Sequence, residues 1–514
     1  MNTDSREVNS IRNFIVGTTN QFFFLLLNFI VKTVFIKTLG TQFLGINGLF
    51  SNIFVLLSFA EFGIGYVMVY SLYEPIAKKD TKKIISIYQF FKKIYLSMAF
   101  IMMFIGLLII PLLKYIINTE VTMTNLKLYY ILFLFRITLS NIFIYKSYLI
   151  IADQRKYIVW LNQLIIESLS FLLQIVFLLY TRNYIVYLLI DIIKIILVSI
   201  FISRKEKKLY PFINKKDITG KITWHEKKEI LKKIEDVFIY KFARALITGT
   251  DNIIISIMVG TIWVGYYSNY NLIITGVVSL VSMFYNAITA SVGNLIVKEK
   301  VIKQYKIFKI TELINNWISG FTTTCLFILL QDFITLWIGK EYLFNTRIVM
   351  VIVFNYYLIC GRNTIKVFRV AAGMFEKVKY FMCVAAVLNI FLSILLGKEF
   401  GIFGILLATI VTTLSTYYWY EAKLLMKQKF GLSFIIYFRS QIKGVIYTII
   451  SIFLTSICVS WIENVSIGTF IIKILVLLIV PNIFYFFVFK NEKEFDDIIK
   501  LVARNSKYIK DAIN

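Results

Sequence analysis

Four prolines, four cysteines and one histidine are spread over 514 residues, and each scarcity removes a class of protein. His225, the single histidine, lies in a polar stretch, which argues against a histidine metal site or a histidine proton relay within a membrane. Cys325, Cys360, Cys383 and Cys458 fall in or beside apolar segments without close pairing. They match no zinc or redox motif and read as small core residues. No Walker-A phosphate loop occurs; "TGKIT" at 219–223 lacks the upstream glycine and the spacing, which argues against direct ATP drive. Acidic residues are also few, 29 against 56 lysines and arginines, for a formal net charge of +27.

What the chain has instead is apolar sequence, 59% of all residues, with a mean hydropathy of +0.76. Runs of about 20 apolar residues, enough to cross ~30 Å of hydrocarbon, recur from end to end. The expectation is an all-α polytopic membrane protein. The first apolar segment is too long for a removable signal peptide and lacks a small-residue cleavage site. Fourteen spans fit: 12–37, 45–72, 92–114, 125–150, 157–180, 183–203, 236–259, 265–297, 308–331, 346–371, 378–397, 400–424, 441–461 and 466–489.

Position explains the charge. One side of the membrane receives "KKDTKK" (78–83), "DQRK" (153–156), the 204–235 stretch, Lys298 to Lys309, Lys423 to Lys443 and both chain ends. The other receives only Lys37, Lys114, Arg182, Lys340, Arg347 and Lys398. Basic loops collect on the cytoplasmic side, so both termini are predicted to be cytoplasmic and nucleic acid is not an expected partner. The long loop 204–235 reads as a basic linker toward anionic lipid headgroups. Its "WHEKKEILKKIED" end has helical spacing suited to the membrane surface. External loops are too short for a folded outer domain.

The sequence repeats itself. "LGTQFLG" at 39–45 returns as "VGTIWVG" at 259–265, so that Gly40, Thr41 and Gly45 recur as Gly260, Thr261 and Gly265. The same ungapped shift places Lys78 on Lys298, Lys83 on Lys303, Ser71 on Ser291 and Tyr88 on Phe308. Spans 1–6 and 7–12 then form two copies of a six-helix unit. Six is even, so both copies share an orientation, related by a pseudo-two-fold axis along the membrane normal. The predicted organisation is an N-terminal lobe (1–203), a basic cytoplasmic linker (204–235), a C-terminal lobe (236–425), two extra helices (426–490) and a charged cytoplasmic tail (491–514).

Three stretches carry a family likeness: "LGTQFLGINGLFSNIFVLLSFAEFGIGYVMVYSLYEPIAKKD" in spans 1–2, "DNIIISIMVGTIWVGYYSNYNLI" in spans 7–8 and "LNIFLSILLGKEFGIFGILLATIVTTL" in spans 11–12. The chain resembles the polysaccharide transporter family, within the superfamily that also holds multidrug exporters and lipid II flippases. The resemblance implies two six-helix lobes around a central cavity in a bacterial cytoplasmic membrane. It also implies a cargo of oligosaccharide on undecaprenyl diphosphate, and contacts with polysaccharide polymerase machinery. No cofactor or resident metal is implied.

Ionisable residues inside spans are costly and normally face a cavity or a partner. Arg136 lies about 11 residues from the outer end of span 4, or ~16 Å at 1.5 Å per residue, with no acidic residue one helical turn away. Lys32 and Asp251 each lie eight or nine residues before a glycine corner, at matching depth, and could pair. Glu61 and Arg244 form a second candidate pair, with Lys241 one turn from Arg244 on the same face. Arg362 and Arg369 add positive charge to span 10. Arg136, Arg244, Lys241, Lys32, Arg362 and Arg369 are therefore the candidate cavity cations, suited to a diphosphate through planar guanidinium donors and lysine point charges. Asn20, Gln21, Asn28, Thr248 and Asn252 are candidate sugar contacts. Glu61, Asp251 and Asp191 are candidates for coupling to a proton or sodium gradient, or for structural pairing with the cations; Asp191 stands three residues from Lys194 and can neutralise it. A lipid II flippase, a cation-coupled multidrug exporter and a membrane glycosyltransferase or polymerase remain the alternatives. The last calls for acidic residues in a sizeable outer loop, which the sequence does not supply.

Overall fold

The computed structural model describes residues 6–58, 63–118, 121–214, 222–374 and 378–500. Helix dominates, and among the described residues there is no strand. The chain divides into two compact units, Met1–Ser268 and Asn269–Asn514.

The first unit contains α1 (Arg6–Leu57), α2 (Ile64–Ala77), α3 (Thr81–Ile109), the single turn α4 (Leu113–Ile116), α5 (Met123–Phe143), α6 (Tyr145–Ala152), α7 (Lys156–Thr181), α8 (Tyr184–Leu209) and α9 (Trp224–Met258). It also holds the start of α10 (Thr261–Lys298). At 52 residues, an unbroken α1 would run ~78 Å, more than twice the hydrocarbon thickness. It is broken at Gly40, whose φ of 83° lies in the left-handed region that favours glycine. Gly260, the repeat counterpart, has φ 127°. The duplicated motif is thus a duplicated backbone corner. Polar caps start three of the other helices: the Asp80 carboxylate accepts from the Lys83 amide at α3, and the Asn183 side chain accepts from Ile185 N–H at α8. Thr223 and Glu226 form a reciprocal capping box at α9.

The second unit contains the rest of α10, then α11 (Val301–Trp337), α12 (Thr346–Gly361), α13 (Asn363–Ala371), α14 (Lys379–Ser415), α15 (Tyr417–Leu425), α16 (Phe434–Val459) and α17 (Ile467–Phe489). Gly401, with φ 58°, breaks α14 between predicted spans 11 and 12. Residues 493–500 continue as helix and fold back on α11: Lys306 Nζ lies 2.7 Å from Asp497, Lys309 pairs with Glu494, and Phe495 stacks on Trp317. The remainder of the predicted tail lies outside the described residues.

Among the described residues, eleven helical stretches are long and apolar enough to cross a membrane. Two of them, Val16–Leu57 and Lys379–Phe430, contain the Gly40 and Gly401 breaks and correspond to two predicted spans each. The remaining predicted span, 236–259, is the second part of α9, where Lys241, Arg244 and Asp251 interrupt the apolar run. Large apolar side chains face outward along these helices, among them Phe100 at 74% exposed, Ile165 at 68% and Phe453 at 63%. Such a surface needs lipid around it. The chain is an all-α polytopic membrane protein.

α9 packs on α1 and α2 within the first unit. One expectation changes. No separate surface helix forms from "WHEKKEILKKIED": that segment is the beginning of α9. Its Ile230 and Ile234 are buried with Ile84, Ile87 and Phe91 of α3, so this apolar stripe finds protein rather than headgroups.

Candidate functional site: buried charge clusters

In the first unit α5, α7 and α8 bring four polar side chains together. Asp191 on α8 is 3% exposed and takes two cations. One carboxylate oxygen accepts from Arg136 of α5; the other lies 2.6 Å from Lys194 Nζ. Gln174 Nε2 of α7 donates to the same second oxygen at 3.0 Å. The Arg136 guanidinium also sits 3.9 Å from the centroid of the Phe133 ring, a cation–π contact. Asp191 thus faces two bases, and Glu167 of α7 brings a second acid near Lys194. The sequence offers Arg136 no acid within a helical turn, and its partner comes from another helix 55 residues later.

Lys32 and Asp251 do not form the pair their matching depth suggests. Asp251 is 6% exposed, whereas Lys32 on α1 is half-buried and has no ion pair among the described residues. Neighbouring acceptors are unsatisfied: Asn20 Oδ1 and Asn252 Oδ1 are buried without a donor among the described residues. Glu61 lies outside the described residues, so its pairing with Arg244 does as well. Lys241 and Arg244 are both exposed on one face of α9, and Arg244 has no ion pair among the described residues. The Thr248 hydroxyl is turned back to the Arg244 carbonyl at 3.2 Å.

The second unit builds the same device from other residues. Span 10 breaks at Arg362, between α12 and α13 (φ −87°, ψ −2°). Arg362 Nη2 lies 2.7 Å from Glu421 Oε2 on α15, and Arg369 Nη2 lies 3.6 Å from Oε1. Arg369 is 2% exposed and Glu421 0%. Arg369 Nη1 also donates to the Met374 carbonyl at 3.2 Å, and Arg362 packs on the Tyr417 ring at 4.3 Å. Again two cations hold one buried carboxylate. In both units the pair joins the fourth predicted span of a repeat to the sixth: Arg136 to Asp191, and Arg362 to Glu421.

Sequence reasoning missed Glu421 because it falls at the very end of span 12, where an acid looks solvated. Lys473 reaches Asp332 at 2.6 Å, joining α17 to α11. Sequence reasoning also passed over Glu312 of α11, which is 7% exposed. Among the described residues no cluster of three or more His, Cys, Asp or Glu residues could hold a metal ion.

No protein-family model matches the sequence, and no curated protein matches it. Solved structures do. The lipid II flippase MurJ in an inward closed conformation superimposes with a TM-score of 0.69 at 16% identity, covering 93% of this chain and 99% of that one. An inward-facing multidrug resistance MATE family transporter of the MOP superfamily gives 0.60 at 15% identity, covering 78% and 97%. The fold is that of the MOP-superfamily transporters. A MOP transporter from Pyrococcus furiosus, described as having a binding pocket of reversed polarity, gives 0.56 at 14% identity, covering 80% and 94%. The MOP fold is shared with both flippases and drug exporters, so it does not by itself select a cargo.

Proposed function

We propose that the protein is a flippase that carries an oligosaccharide on undecaprenyl diphosphate from the inner to the outer leaflet of the cytoplasmic membrane, by alternating access. The fold of a lipid II flippase supports the transport class. The observation that carries the cargo reading is the surplus of cations at membrane positions. In the two clusters Asp191 and Glu421 each face two cations, and Arg244 on α9 has no ion pair among the described residues. A lone arginine or lysine at mid-membrane costs about 2.5–3.5 kcal/mol on insertion scales, so a chain keeping this surplus is expected to use it on an anion. A diphosphate supplies paired negative oxygens in the geometry a guanidinium fork matches. A drug exporter for cations would want the opposite polarity.

The test is deletion followed by assay of surface polysaccharide and of lipid-linked intermediates. Loss of surface polymer with intermediates accumulating inside supports the reading. Normal polymer with no accumulation rejects it. Complementation with a known lipid II flippase, and the reverse exchange, separates the two lipid-linked cargoes.

A further inference from the structure

Glu312 is a buried acid that neither charge cluster uses. It sits on α11, 7% exposed, at the wall of a cavity of about 340 Å³ within the second unit. Among the described residues no lysine or arginine comes within ion-pair distance of it. Lys309, one turn away, is taken by Glu494. Gln441 of α16 donates to Glu312 Oε1 at 3.4 Å, with Ser440 beside it. An ionised carboxylate this deep, without an ion pair among the described residues, is expensive.

A second observation points the same way. Asn316, one turn along α11 from Glu312, is 7% exposed and lines the same cavity, yet its Oδ1 has no donor among the described residues. An acceptor at i+4 stands on the same helix face as Glu312. A protonated carboxyl carries the O–H donor that such an acceptor lacks, whereas a carboxylate does not. We propose that Glu312 is a proton-binding site of the second unit and carries the proton that couples transport. A metal cation is the poorer occupant, because Lys309, Arg439 and Lys443 line the cavity and repel it. The other groups facing the site are Tyr305 and Lys309 on α11, Tyr437, Arg439, Lys443 and Tyr447 on α16, Tyr418 on α15, and Glu492 and Glu494 after α17. A hydrogen-bonded chain runs from Glu312 through Gln441 to Tyr418, whose O–H donates to Gln441 Oε1 at 2.8 Å, on α15, the helix that carries Glu421. Binding takes one proton from water and converts carboxylate to carboxylic acid; release reverses it.

The coupling role rests on the transport reading above, but the site does not, so the experiment has two arms. Full-length protein in nanodiscs, with no cargo, is followed by infrared difference spectroscopy between about pH 5 and about pH 9. Wild type is expected to show a protonated-carboxyl stretch that vanishes in Glu312→Gln and shifts in Asn316→Leu, which removes the acceptor. Identical spectra in all three overturn the site. Should Glu312→Gln fail to fold, an unshifted band in Asn316→Leu overturns it alone. In proteoliposomes with lipid-linked cargo, wild-type flux should rise at least tenfold with an imposed proton gradient and Asn316→Leu should blunt that rise. Wild-type flux indifferent to the gradient overturns the coupling. Absence of cargo movement under every condition, with the carboxyl band intact, rejects the cargo reading and leaves the proton site standing.

Discussion

Gly45 lies against the carbonyl oxygen of Thr261, and Gly265 lies against the carbonyl oxygen of Thr41. A Cβ on the first would stand 2.1 Å from that oxygen, and a Cβ on the second 2.3 Å. The repeated motif therefore packs on its own copy, each glycine receiving the threonine backbone of the other turn. Both contacts are to backbone, which cannot rotate aside as a side chain can.

Gly45→Ala and Gly265→Ala should each destabilise the protein by about 1–3 kcal/mol, the usual range for overpacking, and lower the thermal unfolding midpoint of purified protein. Gly293→Ala, in a helix with nothing within 4 Å of its Cβ, is the control. It should be neutral or slightly stabilising, by about 0.5–1 kcal/mol from helix propensity. Equal midpoints for all three would mean that the two turns do not meet.

Asp191→Asn strands Arg136 and Lys194 together. Removing one member of a buried charge group typically costs about 3–5 kcal/mol, so this variant should be less stable than Arg136→Gln, which leaves Lys194 on the acid. The double change should recover part of the loss, and a thermal-shift double-mutant cycle reads the coupling directly. Additive losses would show that the two groups act independently. The same cycle applies to Glu421 with Arg362.

Arg244 separates function from folding. It is exposed and has no ion pair among the described residues, so Arg244→Ala should leave the unfolding midpoint unchanged while reducing complementation at least tenfold. Arg244→Lys should recover only part, since an ammonium lacks the bidentate fork. Full complementation by Arg244→Ala removes this residue from the cargo path.

At the start of α9, Glu226 accepts a hydrogen bond from Lys83 and another from the Thr223 amide at 2.9 Å. These hold its carboxyl below the ordinary 4.5. A depressed folded value means that the stabilisation is complete above the usual carboxylate range and is lost as pH falls through the folded value. Protection factors at 222–234, taken against the intrinsic exchange rate at each pH, should fall on acidification in wild type and stay constant in Glu226→Gln. The effect at neutral pH should be small, because the pair is partly solvated.

Much of this was readable before any coordinates. The glycine corners were legible because a left-handed backbone needs glycine and the sequence writes the same corner twice. Charge partners were not legible when they sat on another helix: Asp191 for Arg136, Glu421 for Arg362 and Asp332 for Lys473 are separated by 55, 59 and 141 residues. Matching distance from the glycine corners misled in one case, since Lys32 and Asp251 form no ion pair with each other. Helical period showed that 224–236 is a helix but not what covers its apolar stripe, which only the position of α3 decides.

The 35 residues of α9 form a rod ~52 Å long, with helical geometry throughout its span. One end is pinned by Lys83, beside the 78–83 loop, and the other runs into Gly260 and the interlocked turn at Thr41. A strut fixed at both ends does not absorb motion. Any shift of the basic loop at its foot has to reappear, nearly undiminished, at the first glycine turn.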